Sequence, residues 1–346
     1  MAFSERGTLP SALRKGDTIA FISPSGRLND AVTDRVSRAK TCLERLGYSL
    51  EIIFSSPLPK PFKDAVQQRC EELHTAFRTP SIKAIICTIG GLSSNERLRH
   101  LDYDLIRANP KIFVGYSDIT LLHYALFTQA NLRTFYGPAA ITQFGEFPQP
   151  LAFSLDHFMH VLTEPRIVGL VPRSTEWTQE FLEWASPASG TRARLLTPNP
   201  GWKWLRPGRA EGRIFGGCLP SILQLRGTKF EPSYEGRILI LETPDWDAPS
   251  RGTPLAFVRS YIADLVNAGI MGAIAGLVVG RPYMYDEDMS REFEQMVLDQ
   301  CHETTYPILA NMDIGHTDPI LTMPLNALAR LDSGADVFEI LEAAVE

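Results

Sequence analysis

The sequence predicts an α/β protein of two domains, the first a parallel β-sheet covered by helices on both faces and the second a mixed β/α unit. Three observations predict it. The first half of the 346 residues alternates apolar strand-like runs with helical ones. From about Glu164 to Pro207 this pattern loosens into a stretch rich in Pro, Gly and Ser that carries Trp177, Trp184 and Trp202. Strand signals then return with different spacing.

The elements follow in order. Asp17–Ile22 is a strand, Val36–Leu46 reads as a helix, Tyr48–Phe54 as a strand, Val66–Phe77 as a helix and Ala84–Thr88 as a strand. Lys111–Val114 continues the series, and Leu121–Phe127 reads as the next helix. Nearly all-apolar strands separated by helices are what a parallel sheet buried on both faces requires. After the loose segment, Glu211–Phe215, Gly236–Glu242 and Ala273–Val279 read as strands, with helices over Pro254–Ala268 and around Met289–Cys301. Ligands of open parallel sheets bind at the carboxyl ends of the strands. Three turns expected there are small or polar: Ser23-Pro-Ser-Gly26, Gly90-Gly-Leu-Ser-Ser-Asn95 and Gly115-Tyr-Ser-Asp118.

Composition narrows the function. A content of 44% hydrophobic residues suffices for a packed interior, and a net charge of -6 with Lys and Arg scattered singly argues against a nucleic-acid polymer as partner. The five cysteines have no CxxC spacing, so neither a disulfide framework nor a zinc knuckle is expected. No histidine pair has HxH or HExxH spacing, and no metal site is expected. The first residues lack an apolar signal core and the small-apolar run Gly269–Gly280 is too short to span a bilayer, so the expectation is a cytoplasmic protein that engages no membrane.

Chemistry is suggested where a strand meets a helix. In Lys111-Ile-Phe-Val-Gly-Tyr-Ser-Asp-Ile-Thr120, Ser117 falls on the turn, close to the free N–H groups of a helix start. The same residues also read as an ordinary N-cap with Asp118 in the first turn. A nucleophilic serine needs a base and a group that orients the base. His316, in the turn Met312-Asp-Ile-Gly-His-Thr-Asp-Pro319, has the setting of a base, whereas His123 and His157 lie on helical patterns that suit structural histidines. Glu242 ends a buried strand and is a candidate orienter, with Asp245 and Asp247 as alternatives.

These signals together resemble the LD-carboxypeptidase family of serine peptidases, which includes the microcin-C immunity peptidases. The resemblance rests on Thr88-Ile-Gly-Gly-Leu-Ser-Ser-Asn95, Val114-Gly-Tyr-Ser-Asp-Ile-Thr120, Phe135-Tyr-Gly-Pro138, Gly212-Arg-Ile-Phe-Gly-Gly217, Leu239-Ile-Leu-Glu242 and Gly276-Leu-Val-Val-Gly-Arg281, in the family's order along nearly the whole chain. It implies a flavodoxin-like domain over 1–165 carrying the serine, a connecting segment with a recognition loop over 166–207, and a swivelling domain over 208–346 carrying Glu and His. It further implies a Ser117–Glu242–His316 triad, oxyanion donors from the Gly90–Gly91 turn and Asp118, no metal or organic cofactor, and a homodimer.

The Gly90–Asn95 turn and the tryptophan-bearing segment are more similar to the microcin-immunity branch than to the murein-tetrapeptide branch. A small peptide or aminoacyl-nucleotide substrate is therefore expected, with a murein tetrapeptide and a non-catalytic binding role as alternatives. Trp184, or else Trp177, would stack on a nucleobase, and Ser93 and Asn95 would contact the substrate from the oxyanion turn. The chain departs from the family at Cys218, where asparagine is common; it reads as a small core residue, not as the nucleophile.

Overall fold

The computed structural model describes residues 6–184 and 186–346. Its first half runs β1 (Thr18–Ile22), α1 (Thr33–Arg45), β2 (Ser49–Ile53), α2 (Phe62–Arg78), β3 (Ile82–Cys87), α3 (Tyr103–Ala108), β4 (Ile112–Gly115), α4 (Thr120–Ala130) and β5 (Phe135–Tyr136). The strands pair in parallel in the order β5-β4-β3-β1-β2, which is the flavodoxin-like arrangement. β1, β3 and β4 are buried as their apolar runs require, whereas β2 is the half-exposed edge of the sheet.

The chain continues through α5 (Ala152–Thr163), β6 (Ile167–Leu170), β7 (Glu176–Trp177), β8 (Thr197–Pro198), β9 (Lys203–Arg206), β10 (Arg209–Cys218) and α6 (Leu219–Leu223). Then come β11 (Ile238–Glu242), α7 (Leu255–Asn267), α8 (Ile270–Ala273), β12 (Gly276–Gly280), α9 (Glu287–Gln300) and β13 (Ile308–Met312), followed by β14 (Met323–Pro324), β15 (Leu328–Asp332) and β16 (Val337–Ala343). A mixed sheet takes the order β6-β16-β15-β10-β11-β12-β13-β9, with β10 to β13 as its parallel core.

Two departures from the sequence reading concern connectivity. The segment expected to connect the domains and carry a recognition loop also supplies both edge strands of the second sheet, β6 and β9. The late segment β14 crosses back and pairs antiparallel with β5 at the edge of the first sheet.

The seam between the two units explains α4. Its residues Thr120–Leu126 are buried on every side, as a helix held between two bodies must be. Phe215 of β10 packs against Tyr124 and Phe127 of α4, with ring centroids 4.6 Å and 5.1 Å apart. No described helix is long and apolar enough to cross a membrane.

Candidate active site

The carboxyl ends of β1, β3 and β4 converge on one cavity of ≈ 390 Å³, lined from these turns by Gly26, Gly90, Gly91, Ser117 and Asp118. The second unit closes the opposite wall with Cys218, Asp245, Tyr283 and His316 among others.

Ser117 follows β4 with a φ of 64°, a conformation that a non-glycine residue holds only when its surroundings enforce it. Its side chain caps no helix, so the competing N-cap reading of this serine is not realised. Two hydroxyls fix the backbone instead. The Ser117 N–H donates to Tyr136 Oη at 3.1 Å, and Thr120 Oγ1 donates to the Ser117 carbonyl at 2.7 Å. Both hydroxyls also reach the second unit: Tyr136 donates to Glu242 Oε1 at 2.6 Å, and Thr120 accepts the Cys218 N–H at 3.0 Å.

His316 lies between Ser117 and Glu242. Its Nδ1–H donates to Glu242 Oε2 at 2.8 Å, and the Ser117 hydroxyl faces Nε2 at 3.1 Å. An ionised carboxylate can only accept, so Glu242 selects the tautomer that leaves Nε2 free to take the serine proton. Glu242 is fully buried at the end of β11. Burial alone would lower the His316 pKa, but the charge and hydrogen bond of Glu242, with Asp245 and Asp318 behind it, raise it above the ordinary value.

Glycines allow these approaches at two points. A Cβ on Gly90 would stand 2.6 Å from Ser117 Cβ, and one on Gly315, whose φ is +100°, would stand 2.7 Å from Glu242 Oε2.

Asp118 organises the neighbouring loop. Its Oδ2 accepts from Ser25 Oγ at 2.5 Å and from the N–H groups of Ser93 and Ser94, each at 3.1 Å. Burial raises its pKa, against the pull of these donors. On the far wall, Arg194 bridges Glu146 at 2.9 Å and Asp318 at 2.7 Å, and Arg35 donates to the carbonyls of Ile141 and Thr142. Trp184 lines the cavity beside them, its ring 5.5 Å from the Arg35 guanidinium carbon.

Three expected substrate contacts are not brought to the cavity. Trp177 on β7 instead stacks under the Arg281 guanidinium, 4.6 Å from its ring centroid. The loop turns away after Leu92, so Ser93 Oγ accepts from Arg69 at 3.0 Å and Asn95 stands exposed on the turn beyond. Cys218 is buried and borders the cavity, and burial together with Glu242 pushes its thiol well above the ordinary value, which disfavours the thiolate. Burial lowers the pKa of His123 to about 4 and of His157 to about 3; one ring bonds the Gly115 carbonyl and the other accepts the Thr322 N–H, both structural roles. Among the described residues no group of three or more His, Cys, Asp or Glu side chains is placed to hold a metal ion.

Sequence reasoning missed Tyr136, Thr120 and Ser25. The one signal for Tyr136 is its place in Phe135-Tyr-Gly-Pro138.

Comparison with known proteins identifies the family and the fold. The model of the LD-carboxypeptidase N-terminal domain matches residues 19–137, and that of the LD-carboxypeptidase C-terminal domain matches residues 211–331. The chain is 29% identical to the microcin C7 self-immunity protein MccF of Escherichia coli, over 96% of this chain and 95% of that one. It is 31% identical to a probable murein peptide carboxypeptidase of Bacillus subtilis, over 97% and 95% of the two chains. The solved structure of MccF in complex with aspartyl sulfamoyl adenosine superposes with a TM-score of 0.87 at 29% identity, covering 98% of this chain and all 100% of that one.

Proposed function

The chain belongs to the LD-carboxypeptidase family of serine peptidases, and from that premise we propose that it hydrolyses a small, unusual amide with a Ser117–His316–Glu242 triad. The observation that carries this reading is the unbroken chain of hydrogen bonds from Ser117 Oγ through both His316 nitrogens to a buried carboxylate.

The chemistry follows from it. Ser117 Oγ attacks the amide carbonyl while its proton passes to His316 Nε2, and the imidazolium so formed is stabilised by Glu242. The tetrahedral intermediate collapses as Nε2 returns the proton to the leaving nitrogen, and water then hydrolyses the acyl-enzyme by the same route. The Ser117 N–H is engaged by Tyr136, and the oxyanion falls, as the resemblance to the family implies, to amides of the Gly90–Gly91 turn and Asp118. Each such donor contributes ~10²–10³ in turnover.

The substrate is an aminoacyl-nucleotide amide or small peptide of the microcin-immunity type. MccF binds aspartyl sulfamoyl adenosine, and Trp184 stands in this cavity as a platform for a base, worth about 1–3 kcal/mol of stacking. Similarity to a probable murein peptide carboxypeptidase supports a second reading, cleavage of an LD-linked tetrapeptide. A hydrolysis panel of aminoacyl sulfamoyl adenosine, LD-linked tetrapeptide and acyl amino acids, with Ser117→Ala as control, separates them. Cleavage of the tetrapeptide alone overturns the first reading. Cleavage that survives in Ser117→Ala overturns the triad.

A further inference from the structure

We infer that the reacting end of the cavity recognises a cation, the free α-ammonium of an aminoacyl group held by Asp245, and disfavours the α-carboxylate that ends an ordinary peptide. The inference rests on the proposed attack by Ser117 and names the substrate class it selects.

The charges lining the cavity point this way. A carboxypeptidase holds the terminal carboxylate of its leaving residue, most simply with an unpaired cation. Among the described residues the lining includes no lysine, and its two arginines are already engaged. Arg194 is shared between two carboxylates, and Arg35 is bound to two carbonyls with Glu146 at 3.5 Å. The acidic groups are mostly satisfied as well. Glu180 pairs with Arg192 at 2.6 Å, and Asp118 takes its serine and two amides. Asp245 differs: no arginine or lysine pairs with it among the described residues, and its nearest charged partner is His316 Nε2 at 3.9 Å, beyond hydrogen-bond length.

Position makes Asp245 relevant to substrate. The same Nε2 lies 3.1 Å from Ser117 Oγ, so carboxylate and nucleophile face one nitrogen. At attack the carbonyl carbon stands about 3–3.5 Å from Oγ. An α-ammonium is two bonds from that carbon, in the cavity that Asp245 and Ser117 both line. A terminal α-carboxylate, two bonds from the leaving nitrogen, enters the same neighbourhood as a like charge. The Asp245 side chain is 42% exposed, so it is open to a ligand entering the cavity it lines.

The test compares binding of leucyl sulfamoyl adenosine and its N-acetyl derivative to Ser117→Ala and to Ser117→Ala/Asp245→Asn by calorimetry. We expect the free amine to bind at least tenfold tighter to the first protein and the preference to shrink to within about threefold in the second. Equal binding of the pair, a preference that survives Asp245→Asn, or no binding of either compound overturns the inference. A role for Asp245 confined to raising the His316 pKa would leave this binding ratio unchanged, and so counts against it. Labelling of Ser117 in the unmodified protein by a fluorophosphonate judges the hydrolase reading separately, so the two failures are distinguishable.

Discussion

Replacing Tyr136 with phenylalanine removes one oxygen and tests how the two halves of the site are held in register. The ring is 1% exposed and packs against Tyr116 and His123, so phenylalanine fills the same space. Two bonds go with the hydroxyl, one to the Ser117 N–H and one to Glu242 Oε1. A hydrogen bond to a charged group contributes about 1.5–3 kcal/mol, and a buried amide left unpaired costs about 1–3 kcal/mol. Shared local relaxation makes these overlap, so the expected loss of stability is about 2–4 kcal/mol, read from the denaturant midpoint at unchanged slope. Activity should fall further than stability explains, because the left-handed Ser117 backbone loses the bond on its amide. Glu242, with one donor fewer, concentrates its charge on His316 and moves the acid limb of kcat/KM to higher pH. Wild-type stability with an unmoved acid limb would refute the coupling.

The remaining predictions concern the base and the tight approach to the nucleophile. As the proposed base His316 must be neutral, and its pKa is raised, so kcat/KM should climb with an apparent pKa above about 6.5. Asp245→Asn should lower that limb in a pH–rate profile, and a limb at or below the ordinary value in the unmodified protein would contradict the electrostatics. The same shift makes protonated His316 stabilising: the contribution is complete below about pH 6.5 and is lost as pH rises through the folded-state pKa, which denaturation across that range would read. Gly90→Ala places a methyl 2.6 Å from Ser117 Cβ, an atom fixed directly to the backbone that cannot yield cheaply. It should cut turnover by at least ~10²-fold, the scale of a lost oxyanion donor, while circular dichroism stays native; full activity would show that Gly90 does not border the reacting atoms.

Much of the fold is legible because buried parallel strands are apolar throughout, and β1, β3 and β4 fall close to the runs that predict them. β5 and β14 have two residues each, too few for any periodicity, and β15 and β16 alternate with half-exposed positions that blur their pattern. In the site, Ser117, Glu242 and His316 are readable as polar residues at the ends of apolar runs. Tyr136 is not, since a tyrosine in an apolar run is indistinguishable from core until its hydroxyl partners are known. Asp245, an alternative orienter by sequence, faces Nε2 and not Nδ1, and Asp247 pairs with Arg251 at 2.8 Å. Ser93, Asn95 and Trp177 are expected near the substrate from the resemblance, but the direction in which a loop turns is decided by tertiary partners such as Arg69 and Arg281.

The central claim is that Ser117 is a nucleophile activated across the seam by His316. Incubating the protein with a fluorophosphonate and mapping the modified peptide by mass spectrometry tests it most directly. The account predicts one adduct on Ser117, lost in Ser117→Ala and strongly slowed in His316→Ala. No adduct in folded protein, an adduct on Cys218 or another residue, or labelling of Ser117 that ignores the loss of His316 would contradict it.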